Sequence, residues 1–169
     1  MNKKILILTA ILATISNGIE KGDREFSGEF TFIKQYPGPS AFQLGLTPGY
    51  YFTDKLSVGF NATVGTQFSS QDFRQYIDMG PVICLNPKYH ENIYGIFGVE
   101  FGGGQFSYRA YSYYNQSDIW TFYSLLTGLK LEFYNLMAIN IKVKFTKRFR
   151  RSDENLDILT IPIGISILF

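Results

Sequence analysis

At 169 residues the chain has the length of one domain, and only 18% of it is charged, against about 25% in ordinary soluble domains. A net charge of +2, with no Lys/Arg run interleaved among the aromatics, gives no footprint for a nucleic-acid partner. Twelve Tyr, sixteen Phe and sixteen Gly beside a single Trp suit many strands and tight turns better than helices.

Residues 1–18 read as a secretory signal peptide. Lys3 and Lys4 make a basic start, Ile5 to Ile15 an apolar run, and Ser16-Asn17-Gly18 a small-x-small exit. The apolar run is shorter than the about 20 residues a membrane-spanning helix needs. The mature domain is expected to be residues 19–169, with no cysteine at its start for a lipid anchor. Cys84 stands alone, so no internal disulfide is expected.

From Glu25 onward, eight runs of period-two character follow one another, separated by short polar or Pro/Gly segments. Glu25–Tyr36 sets Phe26, Phe30 and Phe32 against Ser27, Glu29 and Thr31. Ala41–Phe52 sets Phe42, Leu44, Leu46, Pro48, Tyr50 and Phe52 against Gln43, Gly45, Thr47, Gly49 and Tyr51. Leu56–Phe68 is the cleanest, with Leu56, Val58, Phe60, Ala62 and Val64 alternating with Ser57, Gly59, Asn61, Thr63 and Gly65. Phe73–Asn86 carries Ile77, Met79, Pro81 and Ile83 opposite Tyr76, Asp78, Gly80 and Val82; a turn over 87–92 is expected next. In Ile93–Tyr108, Phe97, Val99 and Phe101 oppose Gly98, Glu100, Gly102 and Gly104. Asp118–Tyr134 places Lys130 and Glu132 on its polar face, and Leu136–Phe149 places Asn140, Lys142 and Lys144 there. The last run, Leu156–Phe169, alternates Leu159, Ile161, Ile163, Ile165, Ile167 and Phe169 with Thr160, Pro162, Gly164 and Ser166.

Antiparallel neighbours keep their faces aligned only if opposed residues share a face. Phe52 must therefore oppose Leu56 across Asp54, and the sixth and seventh runs must be related about Asn135. Pro48 and Pro81 foretell broken ladder bonds on one side of their strands.

Alternation alone fits a soluble barrel or its inverse, and side-chain size chooses between them. The polar faces are mostly Gly, Ser, Thr, Asn and Gln, a thin coat for water but a good fit to the narrow interior of an eight-stranded barrel. The apolar set supplies the lipid-facing band, about 25 Å tall, of an outer-membrane barrel, and closure removes edges that lipid would leave unpaired. The fold expected is all-β, a closed eight-stranded antiparallel up-and-down transmembrane β-barrel.

The stretch Pro48-Gly49-Tyr50-Tyr51-Phe52-Thr53-Asp54-Lys55-Leu56-Ser57-Val58-Gly59, the glycine-spaced Tyr94-Gly95-Ile96-Phe97-Gly98-Val99 and the final Phe169 resemble the porin-like outer-membrane β-barrel family of small eight-stranded, OmpX-type proteins. The resemblance covers the chain from about Glu25 to Phe169. It implies a bacterial outer-membrane location, delivery by the barrel-assembly machinery with Phe169 as assembly signal, and no single activity. An amino terminus in the periplasm puts the turns at Asp54, 87–92 and Asn135 there. The connections 37–40, 69–72, 109–117 and 150–155 then face outward.

Candidate site residues fall into two groups. Glu29, Asp78, Glu100, Lys130, Glu132, Lys142 and Lys144 point inward, and near-balance of sign suits a lumen salt-bridge network; a small ion-conducting path is the other reading. Arg74, Arg109, Lys147, Arg148, Arg150 and Arg151 gather at the outer end, where guanidinium forks match the phosphates of lipopolysaccharide or are simply solvated. The loop aromatics Tyr108, Tyr111, Tyr113 and Tyr114 make either a partner-binding tip or a girdle. Lipid-modifying enzymes exist on barrels of this size, but the single His90 falls in a turn on the wrong side. No cofactor or metal site is expected. The function expected is a monomeric structural or interaction protein of the envelope, with outer-membrane lipid as partner; a narrow pore for ions or small solutes is the alternative.

Overall fold

The computed structural model describes residues 19–34, 40–68, 73–109, 117–134, 136–150 and 155–169. Its strands are β1 (Arg24–Lys34), β2 (Ser40–Tyr51), β3 (Leu56–Phe68), β4 (Phe73–Leu85), β5 (Lys88–His90), β6 (Ile93–Arg109), β7 (Ser117–Tyr134), β8 (Met137–Arg150), β9 (Leu156–Thr160) and β10 (Ile163–Leu168). No described residue is helical. Neighbours along the sheet are antiparallel, and β10 pairs with both β8 and β1, so the sheet closes on itself.

Two of the ten strands are subdivisions of the expected eight. β9 and β10 both lie along β8 and form one stave interrupted at Ile161 and Pro162. Pro162 has no N–H to offer the ladder, yet its carbonyl accepts from Lys142 N at 3.0 Å and holds the stave together. β5 lies inside the expected turn over 87–92, which is not a plain turn but a small hairpin: Lys88 pairs with Tyr94 and His90 with Ile93. Residues 91 and 92 make its tight bend.

Register follows parity. Ser40 opposes Phe68 and Tyr50 opposes Val58, pairings symmetric about Asp54. Phe52 N donates to Leu56 O at 2.9 Å, and Thr53 Oγ1 accepts from Leu56 N at 2.9 Å to finish the turn. Trp120↔Arg150 through Glu132↔Ala138 are symmetric about position 135, after which a bulge sets Tyr134 against Met137; Asn135 itself lies outside the described residues. The prolines break one side each. The β2–β3 ladder skips from Leu46↔Ala62 to Gly49↔Gly59, and β4–β6 from Met79↔Gly103 to Val82↔Glu100. On their other sides Pro48 still faces Phe26 and Pro81 faces Phe60, because a proline carbonyl can accept where its nitrogen cannot donate.

The protein is inside out. Leu44, Val64, Leu125 and Ile163 are each more than half exposed, whereas Ser124, Asn140, Glu100 and Lys130 are at most 2% exposed. A soluble protein tolerates apolar patches of only a few hundred Å², and here the apolar side chains of every long strand ring the barrel. Hydrocarbon is the solvent that this exterior fits, and closure through β10 pairs the two ends of the sheet over Glu25–Phe30, as such a solvent favours. No helix among the described residues is long and apolar enough to cross a membrane; the crossing is made by strands.

Candidate functional site

The lumen has three levels, named here from the turn rim, where the Asp54 turn lies, to the loop rim, where β1, β3 and β6 end and β2, β4 and β7 begin. At the turn end, Lys130 Nζ donates to Glu25 Oε2 and to the Tyr51 hydroxyl, both at 2.7 Å, and Tyr51 donates to the same carboxylate oxygen at 2.7 Å. The ammonium also lies 5.4 Å from the Tyr51 ring centroid. Ile19, Tyr51, Tyr94 and Leu168 pack together around it as an apolar cup.

In the middle, Lys144 Nζ donates to Glu100 Oε2 at 2.6 Å and Asn61 Nδ2 to Glu100 Oε1 at 2.7 Å. Lys142 pairs with Glu29, and Asn140 Nδ2 donates to Ser166 Oγ at 3.0 Å. A cavity of about 50 Å³ remains among them, lined by Glu29, Asn61, Cys84, Glu100, Lys142 and Lys144. A space of that size and polarity suits a few waters.

At the loop end, Arg148 pairs with Asp78, whose Oδ1 accepts from Trp120 Nε1 at 2.7 Å. The guanidinium carbon lies 4.7 Å from the Tyr76 ring centroid and 4.9 Å from that of Trp120. Planar and weakly hydrated, a guanidinium stacks where an ammonium would not. Glycines make the room: a Cβ on Gly65 would run into the Tyr76 ring, and one on Gly104 into Trp120 and Asp78. Gln43 hydrogen-bonds the Tyr76 hydroxyl, and Phe122 completes the packing.

All four ion pairs are buried. Each charge alone would be costly in such a place, and removing one partner leaves that cost uncompensated. Glu29, Asp78, Glu100, Lys130, Lys142 and Lys144 are thus brought together pairwise, while Glu132 is not. It is half-buried near the turn rim, and its Oε1 is buried without a hydrogen-bond partner.

One residue changes sides relative to the sequence reading, and one inward charge was left unassigned there. Arg148, expected at the outer surface among lipid phosphates, is 5% exposed inside the lumen. The alternation of Asn140, Lys142, Lys144 and Thr146 simply continues through it. Lys147, one residue away, points outward in the row Tyr123, Lys147, Asp157. Glu25 was not counted among the inward charges, though it shares the parity of Ser27 and Glu29, which was its signal in the sequence.

The backbones of Arg74, Arg109 and Arg150 lie at the loop rim, where Phe73 pairs with Arg109, Arg74 with Tyr108 and Trp120 with Arg150. Their side chains, with the whole of Arg151, Tyr111, Tyr113 and Tyr114, lie outside the described residues. Phe169 is 66% exposed at the turn rim and exchanges two 2.9 Å backbone hydrogen bonds with Arg24. His90 is exposed on β5, and the half-buried Cys84 lines the cavity. Among the described residues, no group of His, Cys, Asp or Glu has the arrangement to hold a metal ion.

No family model and no curated protein matches the chain. Solved structures do. The Neisserial surface protein A is similar at 10% identity and a TM-score of 0.71, over 87% of this chain and 96% of that one. The amino-terminal β-barrel domain of Pseudomonas aeruginosa OprF is similar at 11% identity and a TM-score of 0.61, over 88% and 98%. The outer membrane protein OprG of Pseudomonas aeruginosa is similar at 16% identity and a TM-score of 0.59, over 90% and 98%. At such identities the likeness is one of fold: a small closed membrane barrel with the same number of staves.

Proposed function

We propose that the chain is an integral barrel protein of a bacterial outer membrane, acting as a monomeric structural or interaction element of the envelope and not as an enzyme. The observation that carries this reading is the filled lumen beneath an apolar exterior. Buried ion pairs capped by aromatic residues occupy both ends, leaving a cavity of about 50 Å³ between them. Neighbours described as an outer membrane protein and a surface protein support the location. On this reading the barrel-assembly machinery inserts the chain.

The pore reading makes an opposite prediction. Pure protein in planar bilayers is expected to give no steady unit conductance; a steady conductance that changes in Lys142→Gln would replace the structural role by a narrow pore.

A lipid contact at the loop rim is the second reading, favoured by the three strand-end backbones of Arg74, Arg109 and Arg150 at that one rim. Phosphate accepts the guanidinium fork bidentately. Replacing these three by Ser is expected to lower lipopolysaccharide co-purification, and unchanged recovery would remove that partner.

A further inference from the structure

The turn end of the lumen is completed by residues that precede the barrel. Ile19 is 5% exposed against Tyr51, Tyr94 and Leu168, although it lies five positions before β1. A tight hook returns the chain to that place. Gly22, at φ 101°, supplies the left-handed residue; its N–H donates to Tyr51 O at 2.8 Å, Tyr51 N donates to Asp23 O at 2.9 Å, and Glu20 N donates to Asp23 Oδ2 at 2.7 Å. Ile19 N then points at the Tyr94 hydroxyl, 3.3 Å away.

Tyr94 faces Lys130 across the β6–β7 ladder, which sets Glu132, two residues further along the same face of β7, diagonal to it; the Oε1 of Glu132 is buried with no hydrogen-bond partner. The nearby cations do not fill the vacancy. Lys130 is taken by Glu25 and Tyr51, and Lys88 lies over the Tyr94 ring, 5.6 Å from its centroid. A buried carboxylate oxygen without a donor is costly, so the mouth is one hydrogen-bond donor short.

We propose that removal of residues 1–18 supplies this donor: the α-ammonium of Ile19 docks on the Tyr94 hydroxyl and the free oxygen of Glu132, and its side chain seals the turn end. The site is one of proteolytic modification. Hydrolysis of the Gly18–Ile19 bond by a signal peptidase puts the hydroxyl of a water on the Gly18 carbonyl carbon and its hydrogen on the Ile19 nitrogen. That nitrogen then takes a further proton from solvent. A peptide N–H with one donor thereby becomes an ammonium with three, enough for both acceptors. The inference rests on the export reading above.

The test uses protein expressed as the full chain and purified from outer membranes. Amino-terminal sequencing is expected to begin at Ile19, and the α-amine in the folded barrel is expected to react with an amine-acylating reagent about tenfold more slowly than in urea. In Glu132→Gln and in Tyr94→Phe that protection is expected to fall to about twofold, and Glu132→Asp to retain most of it. The heat-modifiable electrophoretic band confirms that each variant is folded, and Tyr94→Phe stands in if Glu132→Gln does not fold. A barrel in the outer membrane that starts at another residue, or whose α-amine reacts equally in wild type and Glu132→Gln, overturns the docking and leaves the export reading intact. An unprocessed chain found outside the envelope overturns both.

Discussion

The two ends of the lumen use the same ingredients, a buried ion pair and aromatic rings, but differ in the cation. At the loop end the cation is Arg148, set against the rings of Tyr76 and Trp120, which meet each other edge-on, while paired with Asp78. At the turn end it is Lys130, converging on Glu25 and the Tyr51 hydroxyl from one side. A planar fork can lie against two rings at once while it pairs with a carboxylate, whereas a compact ammonium gathers oxygens around a point. The difference is set by what each end must close. The loop end is plugged by side chains of the staves themselves, and the turn end by an apolar cup that takes in Ile19 from outside the barrel.

The severest way to break this comparison is to remove one carboxylate. Asp78→Ala and Glu25→Ala should each cost about 3–5 kcal/mol by leaving a buried cation unpaired, read as a lower midpoint in urea unfolding from lipid vesicles. If Glu25→Ala were mild, the turn end would be wet and the likeness of the two ends would fail. Trp120→Ala is also expected to cost about 3–5 kcal/mol, the usual range for a buried aromatic, while Tyr51→Phe, which keeps the ring and loses its two charge-assisted bonds, to Glu25 and from Lys130, costs about 3 kcal/mol, since each such bond contributes about 1.5–3 kcal/mol.

Exchanging the cations sharpens the contrast. Arg148→Lys should lose the two ring faces and cost about 1–2 kcal/mol, and should shift the near-ultraviolet circular dichroism of the single Trp. Lys130→Arg should cost about 1–3 kcal/mol by overpacking the apolar cup, leaving that Trp signal unchanged. In the middle level, where the cavity gives room, the double variant Glu29→Gln/Lys142→Gln should be close to neutral, because it removes a pair and not one member of it. His90→Ala, exposed on β5, should stay within about 0.5 kcal/mol in the same titration. A larger loss there would assign the small hairpin a packing role.

Much of the interior was legible because a strand's period of two leaves no freedom once one face is assigned. Lys130, Lys142, Lys144, Glu29, Glu100 and Asp78 were placed inward on parity alone. The same rule carried on through Thr146 would have placed Arg148 inside. Its neighbours Lys147, Arg150 and Arg151 drew it instead into a basic cluster by proximity along the chain, which in a strand separates faces as often as it joins them. The bulge after Glu132 and the hairpin at β5 were not legible, since both depend on how the staves end and not on their repeat.

The sequence by itself determined the two faces, the closed eight-stave barrel and the symmetry of its hairpins about Asp54 and position 135. It did so because alternation and turn parity are local properties of an extended chain. Only the tertiary structure decided which charge meets which. Lys130 and Glu25 are 105 residues apart, Lys142 and Glu29 113, Arg148 and Asp78 70, and Lys144 and Glu100 44. Those partners lie on staves that do not all touch, and they meet across the lumen at heights fixed by the stagger of the closed sheet. Closure sets that stagger for all the staves together.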